Sequence, residues 1–177
     1  AKKNAEQFQQ INFVTDLATV NKESVDLLYC LEVFEHLPKN ETEAAFSLIG
    51  SVLRYGGIAV IGVPIEVHLP ALYKGVFRMT RRYGDFDATL VNVLRATIGF
   101  LPQCRPVSEI TQGWHYHPHH LGFDYRRFGE LLKSQPLVIL KRSASPMPVL
   151  GAWINPEVYF CLGKIYMAEG RCPEALE

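Results

Sequence analysis

"SVDLLYCL", residues 24–31, runs directly into "EVFEHLP", residues 32–38. The first segment is a continuous apolar run of strand length, which fits a parallel strand covered on both faces. The second presents Glu32, Glu35 and His36 and then stops at Pro38. Two carboxylates and an imidazole leaving a buried strand point to a ligand-facing edge. The plainer reading is that they order a strand-to-helix turn, with His36 bonded to a backbone group or a carboxylate.

Outward from this stretch, "KNETEAAFSLIGSVLRYGG", residues 39–57, carries a helix signal. Asn40 is the expected cap with Glu43 three residues on, and Ala45, Leu48, Ile49, Val52 and Leu53 form the apolar stripe. Gly56 and Gly57 are expected to end the helix. "IAVIGV", residues 58–63, then reads as a buried strand closed by Pro64. Strand, helix and strand at this spacing make a βαβ unit whose right-handed crossover sets the two strands parallel.

On the amino-terminal side, "INFVT", residues 11–15, reads as a short strand. Between 65 and 114 the periodicity blurs, and two short helices joined near "RRYGDFD" are expected, as a lid over the carboxyl edge of the sheet or as an added packing layer. Asp124 is a good cap for a helix in "FDYRRFGELLKS", with Phe123 stapled onto Phe128 and with Phe128, Leu131 and Leu132 facing inward. "LVILKR", 137–142, and "VYFCLGKIY", 158–166, are strands with only a proline-rich loop over 143–157 between them, so they are expected to pair antiparallel.

The chain has 177 residues, 48% apolar and 20% charged, with a formal net charge of zero. This composition suits one compact soluble domain, of α/β class by the strand–helix–strand pattern above, and supplies no long-range field to draw a polyanion, so nucleic acid is an unfavoured partner. Four cysteines lack paired short spacing, which argues against a zinc clip or a disulfide framework and for reduced thiols in a cytoplasmic protein. No apolar run is long enough for a membrane span, and oligomerisation is left open.

Taken in order, "FVTDLATVNKESVDLLYCLEVFEHLP", "SVLRYGGIAVIGVP" and "FDYRRFGELLKS" resemble the second half of a class I S-adenosylmethionine-dependent methyltransferase of the small-molecule branch. The resemblance spans residues 8 to 166 and is weakest between 65 and 114. It implies a Rossmann-like sheet of strand order 3-2-1-4-5-7-6, S-adenosylmethionine as cosubstrate and a small-molecule acceptor. It departs from the family at the start, where a strand with a G-x-G-x-G turn and a strand ending in an acid hold the donor. Neither is found in this sequence. Their absence would part the sheet between "INFVT" and "DLLYC" and leave buried amides unpaired at about 1–3 kcal/mol each. The expectation is therefore a single partial domain over 1–177, a fragment of a longer product that alone binds the donor poorly.

By the same resemblance, Asp16 and Leu17 match the adenine-contacting turn, and Cys30 and Leu31 match the segment lining the donor's amino-acid end. Asp16 also fits a turn-stabilising role, and Cys30 a small core residue. E-x-x-E-H further resembles the metal-binding element of small-RNA 2′-O-methyltransferases and some quinone O-methyltransferases. That implies a divalent metal held by Glu32, Glu35, His36 and one of His119 or His120, with His119 the candidate carried forward. "GWHYHPHH" adds His117, His119 and His120 as candidate catalytic bases, since imidazole titrates near neutrality. Arg78, Arg81 and Arg82 with Tyr73, Phe77 and Tyr83 form a basic-aromatic patch that could meet an anionic acceptor or be an ordinary amphipathic surface. The main alternatives to a small-molecule methyltransferase are a metal-assisted O-methyltransferase acting on a hydroxyl, and a catalytically inactive interaction module.

Overall fold

The computed structural model describes residues 12–14 and 19–165. Its main sheet contains β1 (Val25–Leu31), β2 (Leu53–Pro64), β5 (Val138–Ser145) and β6 (Glu157–Gly163), in the order β1-β2-β6-β5. β1 and β2 are parallel, joined through α1 (Lys39–Val52), as the βαβ reading requires. β6 lies antiparallel to both β2 and β5. This is the order expected of the second half of the sheet.

One face of the sheet carries the core. Ala59, Ile61 and Val63 of β2 and Val158, Phe160 and Leu162 of β6 alternate inward, as a period of two demands. They meet Phe46 and Ile49 of α1 and Phe128 and Leu132 of α4 (Tyr125–Lys133). Phe34 stacks on Phe46 with ring centroids 4.7 Å apart, and Phe128 lies 5.2 Å from Phe34 and 5.8 Å from Phe160. α4 starts as expected: Asp124 accepts from the Arg126 amide at 3.0 Å, and the Phe123 and Phe128 rings lie 5.6 Å apart.

β1 departs from the expectation of two covered faces. Val25, Leu28 and Cys30 pack on the core, but Leu27, Tyr29 and Leu31 are 48%, 62% and 45% exposed. That face is left open among the described residues, and the strand is also an edge of the described sheet. Residues 12–14 belong to no strand, and Phe13 and Val14 are exposed, because no described strand offers them a ladder.

The boundaries of α1 also differ. Pro38 occupies the cap position and its carbonyl accepts from the Thr42 amide at 2.9 Å, so Asn40 falls inside the first turn. The helix ends at Val52, and Leu53 already pairs with Val25 in the sheet. Gly56 and Gly57 instead form a bulge in β2, where a Cβ on Gly57 would sit 2.8 Å from the Arg54 carbonyl and 2.9 Å from that of Val25.

Residues 65–114 hold two helices, α2 (His68–Arg82) and α3 (Leu90–Thr97), around a turn at 83–89. They cross so closely that a Cβ on Gly75 would lie 2.5 Å from Val93. A small hairpin of β3 (Ser108–Thr111) and β4 (Trp114–Tyr116) follows, and the segment between β5 and β6 forms a 3-10 turn and α5 (Gly151–Ile154) rather than an open loop.

Candidate functional site

At the carboxyl end of β1, Glu32 adopts φ +55° while its amide still donates to the Gly62 carbonyl at 3.0 Å. Left-handed backbone at a non-glycine residue costs about 1–2 kcal/mol. It turns the chain sharply out of the strand into a 3-10 turn, Phe34–His36. Phe34 goes into the aromatic core, and that anchors the turn so that Glu35 is buried outright.

Neither carboxylate oxygen of Glu35 has a hydrogen-bond partner among the described residues. Burial, with the nearby Glu32 charge adding, pushes its carboxyl up to about 8. Around it stand two imidazoles. His36 Nε2 is 3.6 Å from Glu35 Oε1, and His120 Nε2 is 3.9 Å from the same oxygen and 3.1 Å from His36 Nε2. His120 Nδ1 faces Glu32 Oε2 at 3.9 Å.

The histidine loop is stitched to the turn by backbone. The His117 amide donates to the His36 carbonyl at 2.8 Å, and the His36 ring returns a bond to the His117 carbonyl through Nδ1 at 2.7 Å. A carbonyl only accepts, so Nδ1 of His36 donates this bond, and in the neutral ring Nε2 presents a lone pair to the cluster. Arg105 donates to the carbonyls of both Glu35 (2.7 Å) and His119 (2.5 Å), tying the two segments together. Burial holds the His120 imidazole down to about 4, which keeps it neutral at physiological pH.

The sequence candidates are therefore sorted by the tertiary fold. Glu32, Glu35 and His36 converge, and His120 joins them. His119 does not: its Nδ1 lies 3.2 Å from Asp87 Oδ1. His117 is occupied with the Pro106 carbonyl through Nδ1 at 3.0 Å. Cys30 is partly buried beneath the cluster, its thiol pushed up to about 11 by burial and by the Glu35 charge, and Leu31 is exposed at the strand end. Asp16 and Leu17 lie outside the described residues.

Glu66, Asp87 and Arg105 are not distinguished by sequence pattern, yet they build the wall beside the cluster. Buried Glu66 accepts from Lys74 (3.0 Å) and from both arms of Arg78 (2.8 Å each). Asp87 accepts from Arg82 at 2.7 Å and faces Arg78 at 3.4 Å. Only the spacing of Lys74 and Arg78, one helical turn apart, hints at a shared partner.

A β1–β2 crossover with its chemistry gathered outside the carboxyl end of a strand is the arrangement of open α/β sheets that bind ligands at that edge. The PH0226 protein from Pyrococcus horikoshii OT3 superposes with a TM-score of 0.52 at 11% identity, covering 92% of this chain and 64% of that one. The chain has a Rossmann-like fold. A structure described as a "putative type 11 methyltransferase from Sulfolobus solfataricus" aligns at a TM-score of 0.47 and 13% identity, over 97% of this chain and 68% of its own. The chain thus spans about two thirds of the length of each. Residues 1–61 match the family model for a methyltransferase domain, and no curated protein matches the chain. The matched stretch of this Rossmann-like sheet takes in β1, the E-x-x-E-H turn, α1 and most of β2, and ends before the histidine loop.

Proposed function

We propose that the protein takes part in class I methyl transfer from S-adenosylmethionine to a small-molecule acceptor, and that the acceptor atom is a hydroxyl oxygen activated beside Glu35, His36 and His120. The observation that carries this reading is the buried, unpartnered Glu35 carboxylate set between two imidazoles at the carboxyl end of β1, within the stretch matching a methyltransferase domain. Leu31, exposed at the same strand end, suits contact with the donor, and Asp16 and Leu17 are the candidates for its adenine.

The donor set fits a divalent cation. Glu35 Oε1, His36 Nε2 and His120 Nε2 lie 3.1 to 3.9 Å from one another, and ligands about 2.0–2.2 Å from one ion stand roughly 3 to 3.5 Å apart. Two imidazole nitrogens and a carboxylate whose charge is otherwise disfavoured gain from such an ion, and Glu32 stands on the Nδ1 side of His120, outside this donor set. His119 stays with Asp87. When bound, the cation lowers the acceptor hydroxyl pKa and orients its oxygen.

In the reaction, an acceptor oxygen lone pair forms the new C–O bond as the C–S bond of the sulfonium breaks. Sulfur leaves as a neutral thioether with the electron pair, and the hydroxyl proton passes to solvent. The chain's own contribution is to hold the acceptor in line. His120, held near pKa 4, is a poor base at neutral pH and a good neutral ligand. Calorimetric titration with S-adenosylmethionine, and methyl transfer to a panel of phenols with and without Mg²⁺, test the reading. Donor binding with chelator-sensitive transfer is expected of the native protein; a native protein that binds no donor would favour an interaction module.

A further inference from the structure

Beside the cluster lies a cleft of about 550 Å³, within the range of small-molecule sites. Its two ends differ in charge. One end holds Glu32 and His120, next to the unpartnered Glu35. The other is the flank of α2, where Phe77, Arg78, Arg81 and Arg82 line the opening.

These arginines are not equivalent. Arg78 is committed to Glu66 and Asp87, and Arg82 to Asp85 and Asp87. Arg81 has no carboxylate within ion-pair distance among the described residues; its guanidinium instead sits 5.4 Å from the centroid of the Phe77 ring. A planar, weakly hydrated cation held on an aromatic face is ready for a bidentate carboxylate or phosphate. Lys74, also on the cleft wall, and Arg81 are two helical turns apart, about 10 Å along α2. That span fits a ligand with a hydroxyl at one end and an anion at the other.

We propose that this cleft binds the methyl acceptor and selects one that carries an anionic group, with Arg81 as the anchor and Phe77 covering the body of the molecule. The proposal rests on the methyl-transfer reading for the role of the Glu32–His120 end, but the anion-binding end is independent of it. Glu32 and Glu157, both on the cleft wall, disfavour an anion at the inner end and so set the ligand's direction.

The test compares 3-(4-hydroxyphenyl)propanoate with its neutral amide by calorimetry or NMR titration, on the wild-type protein and on Arg81→Gln, an exposed substitution. The acid is expected to bind roughly tenfold more tightly than the amide, and R81Q to erase that preference. Equal affinity for the two, an unchanged preference in R81Q, or binding of neither by the wild type would overturn the proposal. Methyl transfer to the amide and the acid at equal kcat/KM would also overturn it while leaving methyl transfer standing. Acid preference in a native protein that binds no S-adenosylmethionine would support the anion site and remove the methyl-transfer reading instead.

Discussion

His120 places its Nε2 3.1 Å from the Nε2 of His36, across 84 positions of sequence. At that distance either one Nε2 donates to the other or both lone pairs meet a shared cation. The contact joins the E-x-x-E-H turn to the histidine loop.

A divalent cation is expected to raise the melting temperature. At a free concentration a hundredfold above Kd, linkage adds about 2.7 kcal/mol, or roughly 5–10 °C for a chain of this size. H120A and E35Q should lose most of that gain while H119A keeps it, because His119 faces Asp87. Thermal shift with Mg²⁺, Mn²⁺ and Zn²⁺ reads this directly, and a wild-type melting point that none of them moves would exclude the site.

In chelator, stability should fall as pH rises from about 4.5 through about 8, since the unfolded Glu35 ionises first and the folded carboxyl holds its proton longer. His120 acts in the opposite sense. Its folded pKa is depressed, so the unfolded chain takes up the proton first and stability falls as pH drops from about 6.5 toward 4. Urea unfolding of wild type and E35Q across this range should show the alkaline-side slope reduced in the variant; identical slopes would contradict the burial argument.

Arg78→Ala removes the group shared by Glu66 and Asp87. Glu66 is fully buried and its carboxyl is held below the ordinary range by the Arg78 and Lys74 bonds despite burial. Losing Arg78 should cost about 3–5 kcal/mol by chemical denaturation. A loss under 1 kcal/mol would mean that water reaches the pair in solution.

Gly75→Ala puts a methyl where Val93 already sits, 2.5 Å away. The helix pair should lose about 1–3 kcal/mol, and the double variant G75A/V93A should recover part of it. Additive losses in a double-mutant cycle would show that the two helices separate freely.

Much of the frame was legible because it follows local periodicity. The parallel β1–β2 pair, the Asp124-capped α4 and the antiparallel closing strands all rest on spacing, caps and turn residues. The start of α1 is ambiguous in sequence because Asn40 is a good cap while Pro38 takes that place in the structure, and the long-range pairing of Leu53 with Val25 decides where helix yields to strand. The two-face burial expected of β1 depends on what lies beside it, which no periodicity encodes.

The candidate site divides the same way. From sequence came Glu32, Glu35 and His36, adjacent by necessity because one turn carries them, and the knowledge that a histidine-rich loop was available. Which histidine turns inward was a matter of tertiary structure. His119 and His120 are neighbours on an irregular segment without a repeating face, so the Arg105 and His117 hydrogen bonds and the competing Asp87 carboxylate chose His120. The buried Glu66–Arg78–Asp87 wall was likewise decided by packing, because charges brought together from separate elements carry no fixed spacing along the chain.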